Sequence, residues 1–234
     1  MKRFQLLLIY FVVFLLSTGA ANAQENKYGL KVITAVEELK NSIASNSSKA
    51  MVDLKKNIAG LVVDMVYAGA DNFMRQRLYP SNARAWLRKA AADSLAVVQK
   101  ELKPKGLGLK IFDAYRPWSV TDMMWEKVKD DRYAADPKKG SNHNRGVAID
   151  LTIIDLKTGK EWPMGTGFDN FSDTAHHAFM QLPADVLLHR RLLKTTMEKH
   201  GFKALDTEWW HYSLVGGEEY ELLDMEFGEL KKMK

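Results

Sequence analysis

Two histidines and two carboxylates occur in two short motifs that could bind and use a metal ion. His143 lies in residues 141–150 (SNHNRGVAID), seven positions before Asp150, and His211 ends the motif EWWH, three positions after Glu208. Two histidines and one aspartate are a common ligand set for catalytic zinc, with the fourth tetrahedral position left to water. His143, Asp150 and His211 are therefore the predicted ligands. Glu208 is left free to act as a general base.

Glu208 can reach the same site as His211 only if the local strand is irregular. Residues three apart on a regular β-strand face opposite sides of the sheet. We therefore expect Glu208 at an irregular beginning of its strand, or beside a bulge that redirects its side chain. The following Trp209 and Trp210 are interpreted as core and pocket wall.

The composition limits the chemistry that is available to the chain. It has 234 residues, 46% of them hydrophobic, and no cysteine. The apolar content suits one sizeable core, and the lack of cysteine excludes thiol nucleophiles, thiolate-ligated zinc and iron–sulfur clusters. The net charge of +5 is too small an excess to indicate binding to nucleic acid.

The amino-terminal segment has the pattern of a secretory signal peptide. Lys2 and Arg3 precede an apolar run over 6–16, and small residues follow at Ala21 and Ala23. The run is about half the roughly 20 residues that a membrane-spanning helix needs. We therefore predict cleavage, no stable membrane anchor in the mature protein, and a periplasmic or extracellular location.

The chain divides into three predicted parts. These are a signal peptide (1–23), an extension and linker (24–48), and a main domain, predicted to be catalytic (49–234). Within the extension, apolar residues at spacing three favour a short helix over 28–40. The polar, small-residue stretch at 41–49 is interpreted as the linker.

The main domain mixes strands and helices without a regular βαβ rhythm. The patterns predict strands near 58–67, 107–113, 147–154 and 209–215, and helices near 87–102, 119–129 and 184–200. This order favours an α+β fold, with a small, mainly antiparallel sheet and flanking helices, over a doubly wound fold. The sheet must then bring the motif at 141–150 next to the motif at 208–211.

The motifs Ser-x-His-x-x-Gly-x-Ala-x-Asp and Glu-Trp-Trp-His, in this order, resemble those of the D-alanyl-D-alanine dipeptidases. These are zinc enzymes related to D-Ala-D-Ala carboxypeptidases and hedgehog domains. Further stretches match in the right order: YAGADNF at 67–73, DAYRP at 113–117, and MGTGFD at 164–169 followed by AHH at 175–177. The resemblance covers roughly 52–212 and implies a hedgehog-like, D,D-peptidase fold.

The resemblance implies a role for each of eight residues. One zinc ion per chain would be bound by His143, Asp150 and His211, with Glu208 as the catalytic acid/base. Arg116 would stabilise the developing oxyanion. Tyr67, Ser141 and Asp169 would bind the free ammonium group of a dipeptide. Taken without the resemblance, Arg116 could be a structural partner of Asp113, and Asp169 could be an Asx-turn residue.

The resemblance also implies a substrate, the D-Ala-D-Ala dipeptide, hydrolysed in cell-wall peptide turnover or scavenging. One alternative is a carboxypeptidase or endopeptidase that acts on intact muropeptides and accepts a blocked amino terminus. Another alternative is a non-catalytic zinc module that binds wall peptides or a protein partner. Such a module would need neither Glu208 nor Arg116, so the sequence favours an enzyme. The sequence makes no prediction of the oligomeric state.

Overall fold

A five-stranded β-sheet lies at the centre of the computed structural model, which describes residues 25–131 and 133–233. The strands are β1 (Val32–Ile33), β2 (Met51–Asp53), β3 (Val62–Val63), β4 (Trp86–Arg88), β5 (Leu107–Asp113), β6 (Ala148–Asp155), β7 (Phe202–Leu205), β8 (Glu208–Leu214) and β9 (Leu222–Leu223). The helices are α1 (Val36–Ser45), α2 (Leu54–Asn57), α3 (Lys89–Leu102), α4 (Trp118–Val128), α5 (Ala184–Lys199) and α6 (Phe227–Lys232). The predicted signal peptide, 1–23, lies outside the described residues. Within the described ranges, no helix has the length and apolar character needed to cross a membrane.

The central sheet has the strand order β3-β5-β6-β8-β7. Its β5–β6, β6–β8 and β7–β8 pairs are antiparallel, whereas the edge pair β3–β5 is parallel. Two small sheets lie apart from it: β2 pairs with β4, and β1 pairs in parallel with β9. The predicted α+β fold with a small, mainly antiparallel sheet is therefore confirmed.

Helices α3 and α5 pack on the sheet and bury its apolar side chains. Leu95 of α3 and Leu193 of α5 are fully buried, as is Leu109 of β5. Close packing also depends on Gly108 of β5, where a Cβ atom would come within 2.6 Å of the Leu156 side chain. Glycine in a strand interior commonly marks such a close approach. The two long central strands thereby form a rigid base for the loops at their ends.

The predicted elements of the main domain occur close to their expected positions. Helix α3 ends at Leu102, before a short turn that carries Pro104 and ends at Gly106 with a left-handed φ of 74°. Helix α5 is followed by Gly201, also left-handed at a φ of 86°. Glycine adopts this conformation without the steric cost that a Cβ atom brings, which explains both helix ends.

Two predictions for the amino-terminal half were wrong in their boundaries. The apolar run at 58–67 contributes only the short edge strand β3, because a turn at Gly60 (φ 88°) interrupts it and a 3-10 turn occupies Val66–Ala68. The helix expected at 28–40 instead begins at Val36 and continues through part of the expected linker. The pairing of β1 with β9 holds the preceding residues extended, which displaces the helix start.

The amino-terminal extension packs onto the rest of the chain. Leu39 of α1 is fully buried within the main hydrophobic core. Ser42 and Lys49 both donate hydrogen bonds to the Glu221 carboxylate, near the other end of the chain. Whether residue 49 marks a functional domain boundary stays a prediction.

Candidate metal centre

His143, Asp150 and His211 converge on one point, and their ligand atoms all lie within 4.8 Å of one another. The Nε2 atom of His143 is 3.3 Å from Oδ2 of Asp150, and Nδ1 of His211 is 2.9 Å from Oδ1 of Asp150. His143 and Asp150 are buried, and His211 is nearly so. Two imidazoles and one carboxylate at this spacing form a set of donors suited to a divalent transition metal ion.

Strand pairing positions two of the three ligands. Asp150 on β6 lies directly opposite His211 on β8, so their side chains lie on the same face of the sheet. His143 comes from the loop before β6, where its backbone carbonyl accepts a hydrogen bond from the Arg116 N–H. The two motifs are far apart in the sequence, and the pairing of β6 with β8 brings them together.

Each imidazole has a hydrogen-bond partner for the ring nitrogen that faces away from the site, so its other ring nitrogen can bind a metal ion. His143 Nδ1 lies 2.6 Å from the Ala114 carbonyl oxygen, a partner to which it can only donate. His211 Nε2 lies 3.2 Å from the Ser213 hydroxyl oxygen. With protons on these two atoms, the lone pairs of His143 Nε2 and His211 Nδ1 point at the site. Such outer partners fix the tautomer of metal-binding histidines, so the residues present fit a metal ion.

Glu208 stands beside the ligand set at the irregular beginning of β8. The β7–β8 register shifts between Ala204 and Leu205, and Leu205 pairs with Glu208 itself. This irregularity turns the Glu208 carboxylate to within 3.8 Å of His211 Nδ1, as the expectation for this strand required. Burial raises the pKa of Glu208 to about 7, and the charge of His211 offsets this only in part. A carboxylate with such a pKa can accept and return a proton near neutral pH.

Arg116 lines the same cavity as the ligand set, and its guanidinium is fixed by hydrogen bonds. Its Nε and Nη2 atoms donate to Oδ2 of the fully buried Asp113, at 3.0 and 2.9 Å. The Tyr79 hydroxyl donates to the other oxygen of Asp113 at 2.9 Å. The structural pairing of Arg116 with Asp113 therefore exists. It is compatible with a role at the site, because Nη2 of Arg116 also lies 4.0 Å from Asp150.

Asp169 and Tyr67 form a second polar group in the same cavity. The Tyr67 hydroxyl lies 3.1 and 3.0 Å from the two carboxylate oxygens of Asp169. Burial raises the pKa of Asp169 well above its usual range. Its backbone has a left-handed φ of 56°, which is rare for a residue with a side chain and often marks a functional site. The Asx turn that follows is made by Asn170, whose side chain accepts from the Ser172 N–H.

One cavity of about 290 Å³ joins all of the predicted site residues. Its walls include the predicted ligands, the predicted catalytic pair and the predicted ammonium site: His143, Asp150, His211, Glu208, Arg116, Tyr67, Ser141 and Asp169. Ser141 accepts a hydrogen bond from the His143 N–H at 3.2 Å, which ties the loop to the ligand. Trp210 is part of the wall, as expected, whereas Trp209 is buried outside it.

Sequence reasoning missed several groups that complete the site. The Ala114 carbonyl and the Ser213 hydroxyl orient the two imidazoles. Tyr79 braces Asp113, whose own importance was visible only as a possible partner of Arg116. The position of Ser213, two residues after a predicted ligand on the same strand face, was a usable signal. Neither a backbone carbonyl nor a distant tyrosine has a comparable sequence signature.

The chemistry of this cavity defines a class of protein. A peptide carbonyl placed between the ligand set and Arg116 would lie beside a buried carboxylate that can take up a proton, and its oxygen would face a fixed positive charge. An α+β domain with these groups on one face of its sheet belongs among the metallopeptidases.

The chain belongs to the D-ala-D-ala dipeptidase family, peptidase M15, which matches residues 47–231. It is 37% identical over 177 residues to the D-alanyl-D-alanine dipeptidase of Escherichia coli (strain K12), covering 76% of this chain and 91% of that protein. It is 33% identical over 181 residues to the D-alanyl-D-alanine dipeptidase of Enterococcus faecium, covering 69% and 89%. The match confirms the family resemblance and makes the chain a metallopeptidase.

The solved structures to which this chain has some similarity include VanYB in complex with D-Alanine-D-Alanine. That chain is 15% identical, with a TM-score of 0.38, over 57% of this chain and 74% of that one. A similarity of this size does not bear on function.

Proposed function

We propose that the protein hydrolyses the free D-Ala-D-Ala dipeptide with one zinc ion bound by His143, Asp150 and His211. The observation that carries this proposal is the partly buried Asp169 carboxylate, which lies in the same cavity as the three candidate metal ligands. A buried carboxylate needs a cationic partner, and the ammonium group of an unblocked dipeptide is such a partner. The similarity to the D-alanyl-D-alanine dipeptidases of Escherichia coli and Enterococcus faecium supports the choice of substrate.

The residues of the chain then have separate tasks. A zinc ion at this site would lower the pKa of a water molecule and polarise the carbonyl of the scissile bond. Glu208 accepts a proton at its carboxylate and returns it to the leaving amine. Arg116 donates hydrogen bonds to the carbonyl oxygen as its negative charge develops, and Asp113 holds the guanidinium in place. Tyr67 and Asp169 bind the ammonium group and so align the peptide.

The experiment compares D-Ala-D-Ala with N-acetyl-D-Ala-D-Ala as substrates of the purified protein, with zinc and again with a chelator. Chelator-sensitive cleavage of the free dipeptide alone is the expected result. Cleavage of the blocked peptide at a similar rate would instead indicate a carboxypeptidase that acts on muropeptides. If neither peptide were cleaved by the zinc-loaded protein, the enzymatic proposal would be wrong and a binding module would be the better interpretation.

We also propose that the protein is exported and acts on wall-derived dipeptide in the periplasm or outside the cell. The charged and apolar pattern of the first 23 residues supports this location. Mass spectrometry of the protein from an expressing culture should find a mature chain that begins at Gln24 in the extracytoplasmic fraction. An intact amino terminus on a cytoplasmic protein would contradict the proposal.

A further inference from the structure

Two turns at one end of the β5–β6 strand pair form an exposed, positively charged surface. One is the turn between α3 and β5, and the other is the turn that follows β6. The N–H of Leu156 in the second turn donates to the carbonyl of Gly106 in the first, at 2.9 Å, so the two turns lie side by side. We call the surface that they form the basic pole. Its members are all exposed: Lys103, Lys105, Leu156, Lys157 and Lys160.

The carboxylates nearest in the chain to the basic pole have partners of their own. The Asp155 carboxylate accepts hydrogen bonds from the backbone of its own turn. The Glu161 carboxylate lies 2.8 Å from Nζ of Lys110, and the Glu101 carboxylate lies 2.8 Å from Nζ of Lys199. Positive charge therefore outweighs negative charge at the basic pole.

Leu156 adds an apolar group to this charged surface. One side of Leu156 rests on the backbone at Gly108, and 37% of the residue stays exposed beside Lys157. An exposed apolar side chain flanked by lysines is typical of contact with a membrane surface. The ammonium groups attract anionic headgroups, and the apolar side chain enters the boundary between headgroups and acyl chains.

The residue types at the basic pole fit a lipid surface better than a nucleic acid. Sites for nucleic acids typically combine positive charge with arginine forks or with aromatic rings that stack on bases. The basic pole has neither among its members. The lysine ammonium is a compact point charge, which suits a diffuse layer of anionic headgroups.

The basic pole and the predicted metal site lie at opposite ends of the same strand pair. In the β5–β6 register, Leu107 lies opposite Asp155, next to the basic pole, whereas Asp113 lies opposite the predicted ligand Asp150. From its first residue to its last, β5 rises about 20 Å at the usual spacing of a strand. A surface that contacts the basic pole therefore leaves the other end of the strand pair free.

We propose that the basic pole docks the protein on an anionic lipid bilayer, with the predicted metal site at the end of the strand pair that is turned away from the lipid. The proposal goes beyond the proposed function, because it concerns where the protein is held and not what it cleaves. Such docking is reversible and sensitive to salt, since it depends on a few exposed charges and one apolar side chain.

The test measures cosedimentation of the purified protein with vesicles in low salt. The vesicles contain phosphatidylglycerol and phosphatidylcholine in equal amounts, and vesicles of phosphatidylcholine alone are the comparison without net charge. Combining Lys105→Gln with Lys157→Gln should lower the partition coefficient for the anionic vesicles by about 25-fold, because each lysine near such a surface contributes about fivefold. Replacing both with arginine keeps the charge and should leave the partition coefficient near that of the wild type.

The matched control combines Lys40→Gln with Lys231→Gln, which removes the same charge from exposed positions on α1 and α6. It should change the partition coefficient by less than about twofold. An equal loss in this control would show a general effect of net charge and overturn the assignment to the basic pole. Binding of the wild type to duplex DNA but not to the anionic vesicles, or to neither, would overturn docking on lipid.

The vesicle test is independent of the proposed function. The four replaced lysines lie outside the walls of the predicted site, so hydrolysis of D-Ala-D-Ala in solution should be the same in wild type and variants. A protein that binds the vesicles through the basic pole but does not cleave the dipeptide would support the docking surface and contradict the proposed function. Cleavage without binding to the vesicles would do the reverse.

Discussion

The predicted site carboxylates Asp150, Glu208 and Asp169 have different surroundings, and the difference separates their roles. Burial raises the pKa of Asp150, but His143 and His211 outweigh it and hold that pKa well below its usual range. Glu208 and Asp169 have less compensation, and burial raises the pKa of each. Carboxylates whose pKa values are pushed apart commonly divide acid–base work between them. Asp150 thus suits a permanent negative charge beside a cation, whereas Glu208 suits proton transfer.

Replacing Glu208 with glutamine should abolish most turnover and leave the metal bound. The amide keeps the size of the side chain but cannot accept a proton, and general-base catalysis contributes about 10²- to 10⁴-fold to rates. We expect kcat to fall by this amount while the zinc content per chain, measured by mass spectrometry of the metal, stays that of the wild type. Near-normal kcat in the variant would show that Glu208 is not the proton acceptor.

Replacing Asp169 with asparagine should weaken dipeptide binding and stabilise the fold. The raised pKa means that the folded protein holds the Asp169 proton more tightly than the unfolded chain does. Stability is therefore lost as the pH rises from the pKa of Asp169 in the unfolded chain to its higher pKa in the folded protein. At neutral pH the variant removes this cost, and we expect unfolding by urea to require about 1 kcal/mol more. The KM for D-Ala-D-Ala should rise at least about tenfold.

An Asp169→Asn enzyme with unchanged KM would show that the ammonium group binds elsewhere. The matched control is N-acetyl-D-Ala-D-Ala, which lacks the charge. Its affinity, expected to be low already for the wild type and measured by calorimetry, should not fall further in the variant, because no ion pair is lost.

At the level of the elements, the β6–β8 pair positions two of the three candidate metal ligands. Asp150 and His211 are cross-strand partners, and Ser213 continues the same face of β8 at a spacing of two residues. Each residue shift in this register would turn a ligand to the other side of the sheet. The relative positions of Asp150 and His211 are therefore fixed by the register of β6 with β8.

Replacing Ser213 with alanine should weaken metal binding without removing a ligand. Its hydroxyl is the partner of His211 Nε2, at 3.2 Å. Loss of such an outer partner typically costs about 10- to 100-fold in metal affinity. Competition with a chelator of known affinity measures the change, and Ser213→Thr, which keeps the hydroxyl, should bind the metal nearly as the wild type does. Equal affinity for Ser213→Ala would mean that the hydroxyl does not orient His211.

The sequence predicted that His143, Asp150 and His211 would come together, and it predicted the strands that carry Asp150 and His211, because both predictions depend on residue types at fixed spacings. The irregular start of β8 was also foreseeable, since a regular strand cannot present Glu208 and His211 to one point. The hydrogen bonds from His143 to the Ala114 carbonyl and from Tyr79 to Asp113 could not be predicted, because such contacts depend on the tertiary arrangement of loops. The prediction of a long strand at 58–67 was wrong because the β-branched residues there favour a strand, whereas the turn at Gly60 limits its length.

At the level of the whole molecule, stability should fall in mild acid because of one partly buried imidazole, that of His177. Burial lowers the pKa of His177 to about 4. Nothing in the described part of the chain offers its ring Nε2 a hydrogen-bond partner, and the ring lies 6.3 Å from that of Tyr212. The unfolded chain binds this proton more readily, so the stability present above the ordinary pKa of about 6.5 is lost progressively as pH falls toward 4.

Replacing His177 with phenylalanine should flatten this acid dependence. We expect the change in unfolding free energy between pH 7 and pH 4.5 to shrink by about 1 kcal/mol, a modest value because the ring is partly exposed. Urea unfolding at both pH values measures it, with His200, which pairs with Glu101, replaced by glutamine as a comparison. An unchanged acid dependence in the phenylalanine variant would place the responsible group elsewhere.

The pairing of β1 with β9 has a consequence for how the molecule is made. Val32 lies next to Leu222, although 190 positions separate them in the chain. A polypeptide emerges from the ribosome amino end first. At typical rates of synthesis β1 waits on the order of ten to forty seconds for its partner. Until then Ile33 and Leu39 are without the last part of the core that covers them, so this end of the chain completes its packing only when synthesis is nearly finished.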